Sequence, residues 1–469
     1  MEIAMFNDYF CALLLVKYIS DRYNARLLEL RAKFKEDEDM LQRRLRRERF
    51  IVTESCTFHY LYTRSRDKDI GNLINLALSG LAHLNDVKLS RIFRNVDFNN
   101  EIFFAKPVEV IGKLHYLISA IAELDFDPAL HDDKETGEAF DGLLEAFANE
   151  SRHSPYWFHT PRDLASLAAK LIQPQMGQTI YDPACGSGEL LTEAAKEIGS
   201  QNFFIYGQEN QKSLWALAQI NMIFHGFDQS QIAWGHAIRE PAFVDNENVK
   251  TFDRVISMPP FGDSRWGYEF AEIDPYRRFR FGLPPKSRSE FAYISHILAS
   301  LRPGGIAAVF IQPGGLWRGT GEAKIREALI RENFIDAVIG LPFGLLNEKR
   351  LPLALLILKR NRLSKDILFI DATKDYGEGR KRNRLRDEDL EKITHCFHRR
   401  IVVDGYSALV GLEAIASSGF SLNLNHYIHT VQNNQDIDVF KIRSEMEQID
   451  KELACVHLHL ENCLQDLGL

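Results

Sequence analysis

Between Thr179 and Leu191 the chain reads TIYDPACGSGELL, a run that few folds accommodate. Its β-branched and aromatic start at Thr179, Ile180 and Tyr181 predicts a short buried strand, Gly186 and Gly188 permit a tight turn, and residues 189–198 continue as a helix. Such a turn brings backbone N–H groups and a helix N-terminus up to a ligand. Two glycines alone are weak evidence, since an ordinary strand-to-helix connection reads the same way. The following residues narrow the choice. The runs FFIYGQE, QIAW, FDRVIS, GIAAVFIQ, IDAVIGL, PLALLIL and DILFID alternate with helical segments as far as residue 371. This alternation predicts an α/β fold, a mostly parallel sheet with helices on both faces, whose ligands lie beyond the carboxyl ends of the strands. Asp182 and the turn Cys185, Gly186, Ser187, Gly188 fall at the first such end. Glu209 falls at the second, where an acid meets ribose hydroxyls, His236 just past the third, and Met258, Pro259, Pro260 and Phe261 past the fourth. Four separate motifs converge on one edge.

At 469 residues the chain has room for more than this core. Residues 1–150 read as helical: Phe6, Tyr9, Leu13 and Val16 recur at three- and four-residue steps, as do Leu73, Leu76, Ala77 and Leu81. Between them Arg43, Arg44, Arg46, Arg47 and Arg49 form a basic run, which suits either a solvated helix face or a phosphate-contacting one. In PYWFHTPRDLASLAAKL an aromatic loop leads into a helix beginning near Pro161, with Thr160 as its N-cap. Residues 151–430 then form the α/β core. Past it, Ile442, Met446, Ile449, Leu453, Val456, Leu460, Cys463 and Leu467 make a heptad seam within residues 431–469. That seam packs either on its own core or against a partner helix.

A net charge of −8 argues against a surface that coats nucleic acid throughout, and leaves local basic stripes open. Two such stripes flank the core. PYRRFRFGLPPKSR carries Arg277, Arg278, Arg280, Lys286 and Arg288 among Tyr276, Phe279 and Phe281, the mixture of cations and rings that holds an unstacked strand. GRKRNRLRD carries Arg380, Lys381, Arg382, Arg384 and Arg386, of which Lys381, Arg382 and Arg384 are the candidate contacts. The six cysteines show neither a C-x-x-C pair nor zinc spacing, so no metal site is expected and a reducing cytoplasm is. His395, Cys396 and His398 read as a packed helix end. No segment approaches membrane-spanning length.

The motifs DPACGSG and SMPPFG, with NDYFCALLLVKYISDRY, FGLPPKSRSEFAYISHILASLRPGG and LNLNHYI, resemble the modification subunits of type I restriction-modification systems, S-adenosylmethionine-dependent adenine-N6 DNA methyltransferases. The resemblance covers nearly the whole chain. It implies a Rossmann-like methyltransferase core, a helical N-terminal domain that helps to clamp double-stranded DNA, and a C-terminal helix for docking. It implies a cofactor pocket at Phe158, Thr160, Pro161, Asp182, Cys185, Gly186, Ser187, Gly188, Glu209 and His236, and a base-holding turn at Met258, Pro259, Pro260 and Phe261. Partners implied are a specificity subunit, a second copy of the chain and a motor-nuclease restriction subunit. Two positions depart from the pattern. The first residue of the turn, an Asn, Asp or Ser accepting a hydrogen bond from the adenine amine, is Met258, and the Asp that binds the cofactor's adenine is His236. A thioether is a weak acceptor. The departures leave a second reading, a silenced subunit that binds DNA and partners without methylating.

Overall fold

Nine strands build one sheet in the computed structural model, which describes residues 3–34, 37–89, 91–100, 107–150, 159–346 and 351–428, and position 453 alone beyond them. They are β1 (Thr179–Asp182), β2 (Phe204–Glu209), β3 (Gln231–Trp234), β4 (Phe252–Ser257), β5 (Leu301–Ile311), β6 (Ile335–Gly340), β7 (Ala354–Lys359), β8 (Ile367–Asp371) and β9 (Ser407–Val410). The spatial order is β9-β8-β6-β7-β5-β4-β1-β2-β3. Pairings β1–β2, β1–β4, β2–β3, β4–β5 and β6–β8 are parallel, while β7 runs antiparallel between β5 and β6. The order reverses between β1 and β4, and a sheet of this kind binds its ligand in the crevice beyond the strand ends at such a switch point. All eight expected strands are present, and β9, four residues paired antiparallel to β8, is an addition.

Six helices that matter for the site follow from their apolar spacing: α1 (Ile3–Phe34), α2 (Ile70–Leu84), α3 (Asp133–Glu150), α4 (Arg162–Ile172), α5 (Glu189–Ile198) and α6 (Lys212–Phe224), with α7 (Glu290–Ala299) later in the chain. On α1, Tyr9, Leu13 and Val16 are buried as their spacing predicts. On α2 the stripe is rotated. Leu76 points outward at 68% exposure, and Ile70, Ile74, Ala77, Leu78 and Leu81 form the buried face instead. Helix α4 starts one residue later than expected. Pro161, extended at ψ 141°, holds the cap position without a side-chain bond, so Thr160 is not the cap. The C-terminal heptad seam lies outside the described residues, apart from an exposed Leu453.

Residues 1–428 form one compact unit, and the helical residues are joined to the sheet by charge as well as by packing. Phe140 on α3 stacks on Phe224 of α6 at 4.6 Å, and Tyr18 on α1 lies 4.7 Å from the same ring. Arg49, expected in an outward basic run, turns inward: its Nε and Nη2 donate to the Asp228 carboxylate, Nη2 to the Ile223 carbonyl and Nη1 to the Tyr18 hydroxyl. Lys88 meets the same Asp228 at 2.9 Å. Arg43, Arg44, Arg46 and Arg47 are exposed. Arg49→Ala leaves Asp228 half-buried with one cation, and is expected to cost about 2–4 kcal/mol. Chemical denaturation reads this directly, and a loss below about 0.5 kcal/mol would show that the bridge contributes little.

Candidate functional site

The carboxyl end of β1 delivers Asp182 into a fully buried position. Its Oδ1 accepts from the Ala184 amide at 2.9 Å and the Ser257 hydroxyl at 2.7 Å, while Oδ2 has no partner among the described residues. Burial, reinforced by Glu209 and Glu189, pushes its carboxyl up to about 7. The turn that follows needs glycine twice. Gly186 sits at φ 57° and Gly188 at φ 93°, in the left-handed region where a side chain is strained, and a Cβ on Gly188 would lie 2.9 Å from Met222 Cε. The Gly186 amide donates to Glu209 Oε2 at 2.9 Å and the Gln211 amide to Oε1 at 2.7 Å. Glu209, at the end of β2, therefore ties the turn to the neighbouring strand. Burial raises its carboxyl above the usual range. Cys185 is buried and its amide donates to the Gln208 carbonyl, which makes it part of the turn's frame.

Around this centre His159, Glu189 and Asn221 stand as groups that sequence alone did not single out. Ser187 and His159 both bond the Glu189 carboxylate at the start of α5, and Asn221 of α6 donates to the Ser187 carbonyl at 3.0 Å. Thr160 and Pro161 are buried beside them, whereas Phe158 lies outside the described residues. Gly235 continues β3 and donates to the Glu209 carbonyl at 2.9 Å. His236 follows it, 8% exposed, with its Nδ1 accepting from the Ile238 amide and its ring 6.2 Å from Tyr293 on α7. Burial, with Arg239 next in effect, pushes the imidazole down to about 4, so it is neutral near pH 7. Tyr293 carries no sequence signal beyond its place on an apolar helix.

Beyond β4, Met258 and Pro259 are buried, Pro260 is exposed and Phe261 half-buried. The Ser289 hydroxyl, just ahead of α7, donates to the Pro260 carbonyl at 2.5 Å. Ser257 bonds Asp182, so the turn is fixed to the β1 end as well. The structure thus brings Asp182, the glycine turn, Glu209, His236 and the Pro-Pro-Phe turn to one edge of the sheet.

The basic segments divide. Arg277, Arg280, Lys286, Lys381 and Arg384 are exposed, with Arg280 over the Phe281 ring and Lys286 over Tyr268. Arg288 is half-buried. Two expected DNA contacts are corrected. Arg278 is 3% exposed, donates from Nε and Nη2 to Asp274 Oδ1 and is bonded to the Ala237 and Ile238 carbonyls, so it braces the His236 loop. Arg382 is held by Asp163 of α4 at 2.9 Å. Phe279, expected as a stacking ring, is buried beside Trp266. At the far helix end, Cys396 donates to the Ile401 carbonyl and His398 Nε2 lies 3.0 Å from the Lys170 carbonyl.

The raised carboxyl of Asp182 has a measurable consequence. The folded protein holds this proton more tightly than the unfolded chain, so the stability it contributes is full below about pH 4 and is lost as pH rises through about 7. Asp182→Asn removes the effect. The stability difference between variant and wild type is expected to shift in the variant's favour by about 2 kcal/mol between pH 5.5 and 8. A difference that stays flat across that range would show that Asp182 is charged throughout.

The sheet order and the strand-end acids define a methyltransferase of the S-adenosylmethionine-dependent class, with a helical region ahead of its α/β core. Residues 131–436 match the N-6 DNA Methylase family model and residues 1–118 match the HsdM N-terminal domain. The chain belongs to the N-6 DNA methylase family. It is 29% identical to the type I restriction enzyme MpnII methylase subunit of Mycoplasma pneumoniae, over 89% of this chain and 82% of that one. It is 30% identical to the HindI methylase subunit of Haemophilus influenzae, over 64% of this chain and 70% of that protein. The crystal structure of a type I restriction-modification methyltransferase subunit from Streptococcus thermophilus superposes with a TM-score of 0.80 at 26% identity, covering 92% of this chain and 96% of that one. The silenced reading is not favoured by these relatives, which carry the methylase description. Among the described residues, no helix is long and apolar enough to cross a membrane.

Proposed function

We propose that the chain is the modification subunit of a type I restriction-modification system, methylating the N6 amine of adenine at a specific DNA site. The observation that supports this best is the convergence of two devices on one sheet edge: a cofactor cradle at Asp182, Gly186, Gly188 and Glu209, and a Pro-Pro-Phe turn clamped by Ser257 and Ser289. The cradle suits S-adenosylmethionine. Asp182 Oδ2 is an unpartnered buried acceptor, and Gly186 and Gly188 hold the left-handed backbone of the turn that follows it. When bound, the cofactor supplies a methyl group activated by a positive sulfur. Glu209 would hold the ribose hydroxyls, Asp182 the amino-acid end, and Thr160 and Pro161 would close one wall. An adenine inside a duplex is out of reach, so the base must be extruded and held by the turn. The Pro260 carbonyl already accepts from Ser289, so this reading assigns the adenine amine to the Pro259 carbonyl, with Phe261 stacking on the ring.

The exposed cations Arg277, Arg280, Lys286, Lys381 and Arg384 contact DNA phosphates in this reading, with Arg288 at their edge. Base sequence is read by a separate specificity subunit, joined by two copies of this chain and, for cleavage, a motor-nuclease subunit. The test is transfer of labelled methyl from S-adenosylmethionine to duplex DNA by the co-expressed complex. Label recovered as N6-methyladenine supports the proposal, and label recovered only in cytosine or protein overturns it.

The heptad seam is assigned in the same proposal to docking against a partner helix. Leu453→Glu places an unpaired carboxylate in that seam, an expensive burial. Co-purification with the specificity subunit is expected to fall at least tenfold while thermal stability is kept. Undiminished co-purification would remove the seam from the assembly.

A further inference from the structure

His236 presents the opposite hydrogen-bonding polarity from the carboxylate that the resemblance implies at its position. On the methyltransferase reading above, this polarity bears on the cofactor's adenine. Arg278, anchored by Asp274, bonds the carbonyls of Ala237 and Ile238, and the Glu240 amide donates to the His236 carbonyl at 2.8 Å. The loop is therefore fixed without help from the imidazole. The ring itself is fixed by two contacts: Tyr293 lies almost parallel to it at an interplanar angle of 28°, and the Ile238 amide donates to Nδ1 at 3.2 Å.

A neutral imidazole carries one N–H. With burial and the nearby Arg239 and Arg278 disfavouring charge, this ring is neutral at pH 7, and Asp263, which favours the charged form, does not reverse that. Because Nδ1 accepts from Ile238, the proton sits on Nε2. That nitrogen has no hydrogen-bond partner among the described residues, and it lies on the ring edge opposite the one bound to the loop. On the methyltransferase reading, a ligand whose ribose meets Glu209 at the end of β2 has its base beside the end of β3, the neighbouring strand that His236 follows.

We propose that His236 reads the cofactor's adenine by donating from Nε2 to a ring nitrogen, N1 or N7, and does not accept a hydrogen bond from the 6-amino group. Tyr293 backs the imidazole and acts as a positioning residue. The recognition is inverted: the base is identified by an acceptor where a carboxylate identifies a donor.

Calorimetric binding to the assembled complex distinguishes the two polarities without requiring turnover. The probes are S-adenosylhomocysteine, its analogue lacking the 6-amino group, and its 1-deaza and 7-deaza analogues. For the wild type, removing the amine is expected to weaken binding less than about threefold, and one deaza analogue to weaken it about tenfold, the value of one lost hydrogen bond. His236→Asp is expected to reverse the ranking. His236→Asn keeps the wild-type ranking, since its oxygen accepts from Ile238 while its amide donates outward. A tenfold loss on removing the amine from the wild-type ligand, with both deaza analogues unaffected, overturns the proposal, as does an unchanged ranking in His236→Asp. Failure of S-adenosylhomocysteine and S-adenosylmethionine to bind at all would instead overturn the methyltransferase reading on which this rests.

Discussion

Met258→Asn is expected to raise the rate of adenine methylation about a hundredfold to a thousandfold, with little change in cofactor affinity. The adenine amine is a poor nucleophile because its lone pair is delocalised into the ring. A second oriented acceptor beside the Pro259 carbonyl turns that lone pair toward the methyl group, and such an interaction forms fully only in the transition state. Methionine offers a weak sulfur acceptor at a buried position that follows directly from Ser257 and its bond to Asp182. The measurement is single-turnover methylation of DNA bearing the cognate site, at saturating cofactor, by the full complex. Met258→Leu is the control: similar in volume and without the sulfur, it should match the wild type within about threefold. A wild type that already methylates rapidly, and is slowed by the asparagine, would show that another group supplies the acceptor.

Glu209→Ala should weaken S-adenosylmethionine binding by at least about a hundredfold, or roughly 3 kcal/mol. The substitution acts twice. It removes the carboxylate proposed to hold both ribose hydroxyls, and it frees the Gly186 and Gln211 amides that this carboxylate now organises. Glu209→Gln separates the effects, because its single carbonyl oxygen can keep one of the two amides. Binding should fall by about tenfold in that variant. Equal affinity for wild type and Glu209→Ala in calorimetry would move the ribose away from the end of β2.

The strand ends were readable because their signals are local. Asp182, Gly186, Gly188 and Glu209 each sit where a buried strand stops, and the alternation of apolar runs and helices puts all those stops on one side of the sheet. Helix α5 and strand β3 have the limits that their sequences imply. Arginine roles were not readable in this way. Arg278 and Arg280 differ by two positions in one basic run, yet the first is enclosed by Asp274 and two carbonyls and the second is exposed. Composition cannot tell them apart, because the distinction depends on which carbonyls the loop after β3 turns toward them. Tyr293 and Ser289 escaped for a related reason. Their meaning comes from packing α7 across the ends of β3 and β4, a contact 57 residues away in the chain for Tyr293 and 29 for Ser289. Leu76 shows the limit of periodicity itself, since three- and four-residue steps fix a stripe's existence better than its phase.

The Asp228 bridge bears on how this architecture can be cut or recombined. Arg49 and Lys88, both cations that neutralise Asp228, come from the first hundred residues, as does the Tyr18 ring beside Phe224, while Phe140 and Asp141 reach α6 from α3. A chain beginning at residue 151 would retain every strand and every strand-end acid. It would also expose the aromatic face of α6 and leave Asp228 and His225 without their partners. The helical region is thus a missing wall of the catalytic fold as much as an appendage to it, and exchange between homologues should succeed only when both sides of that seam travel together.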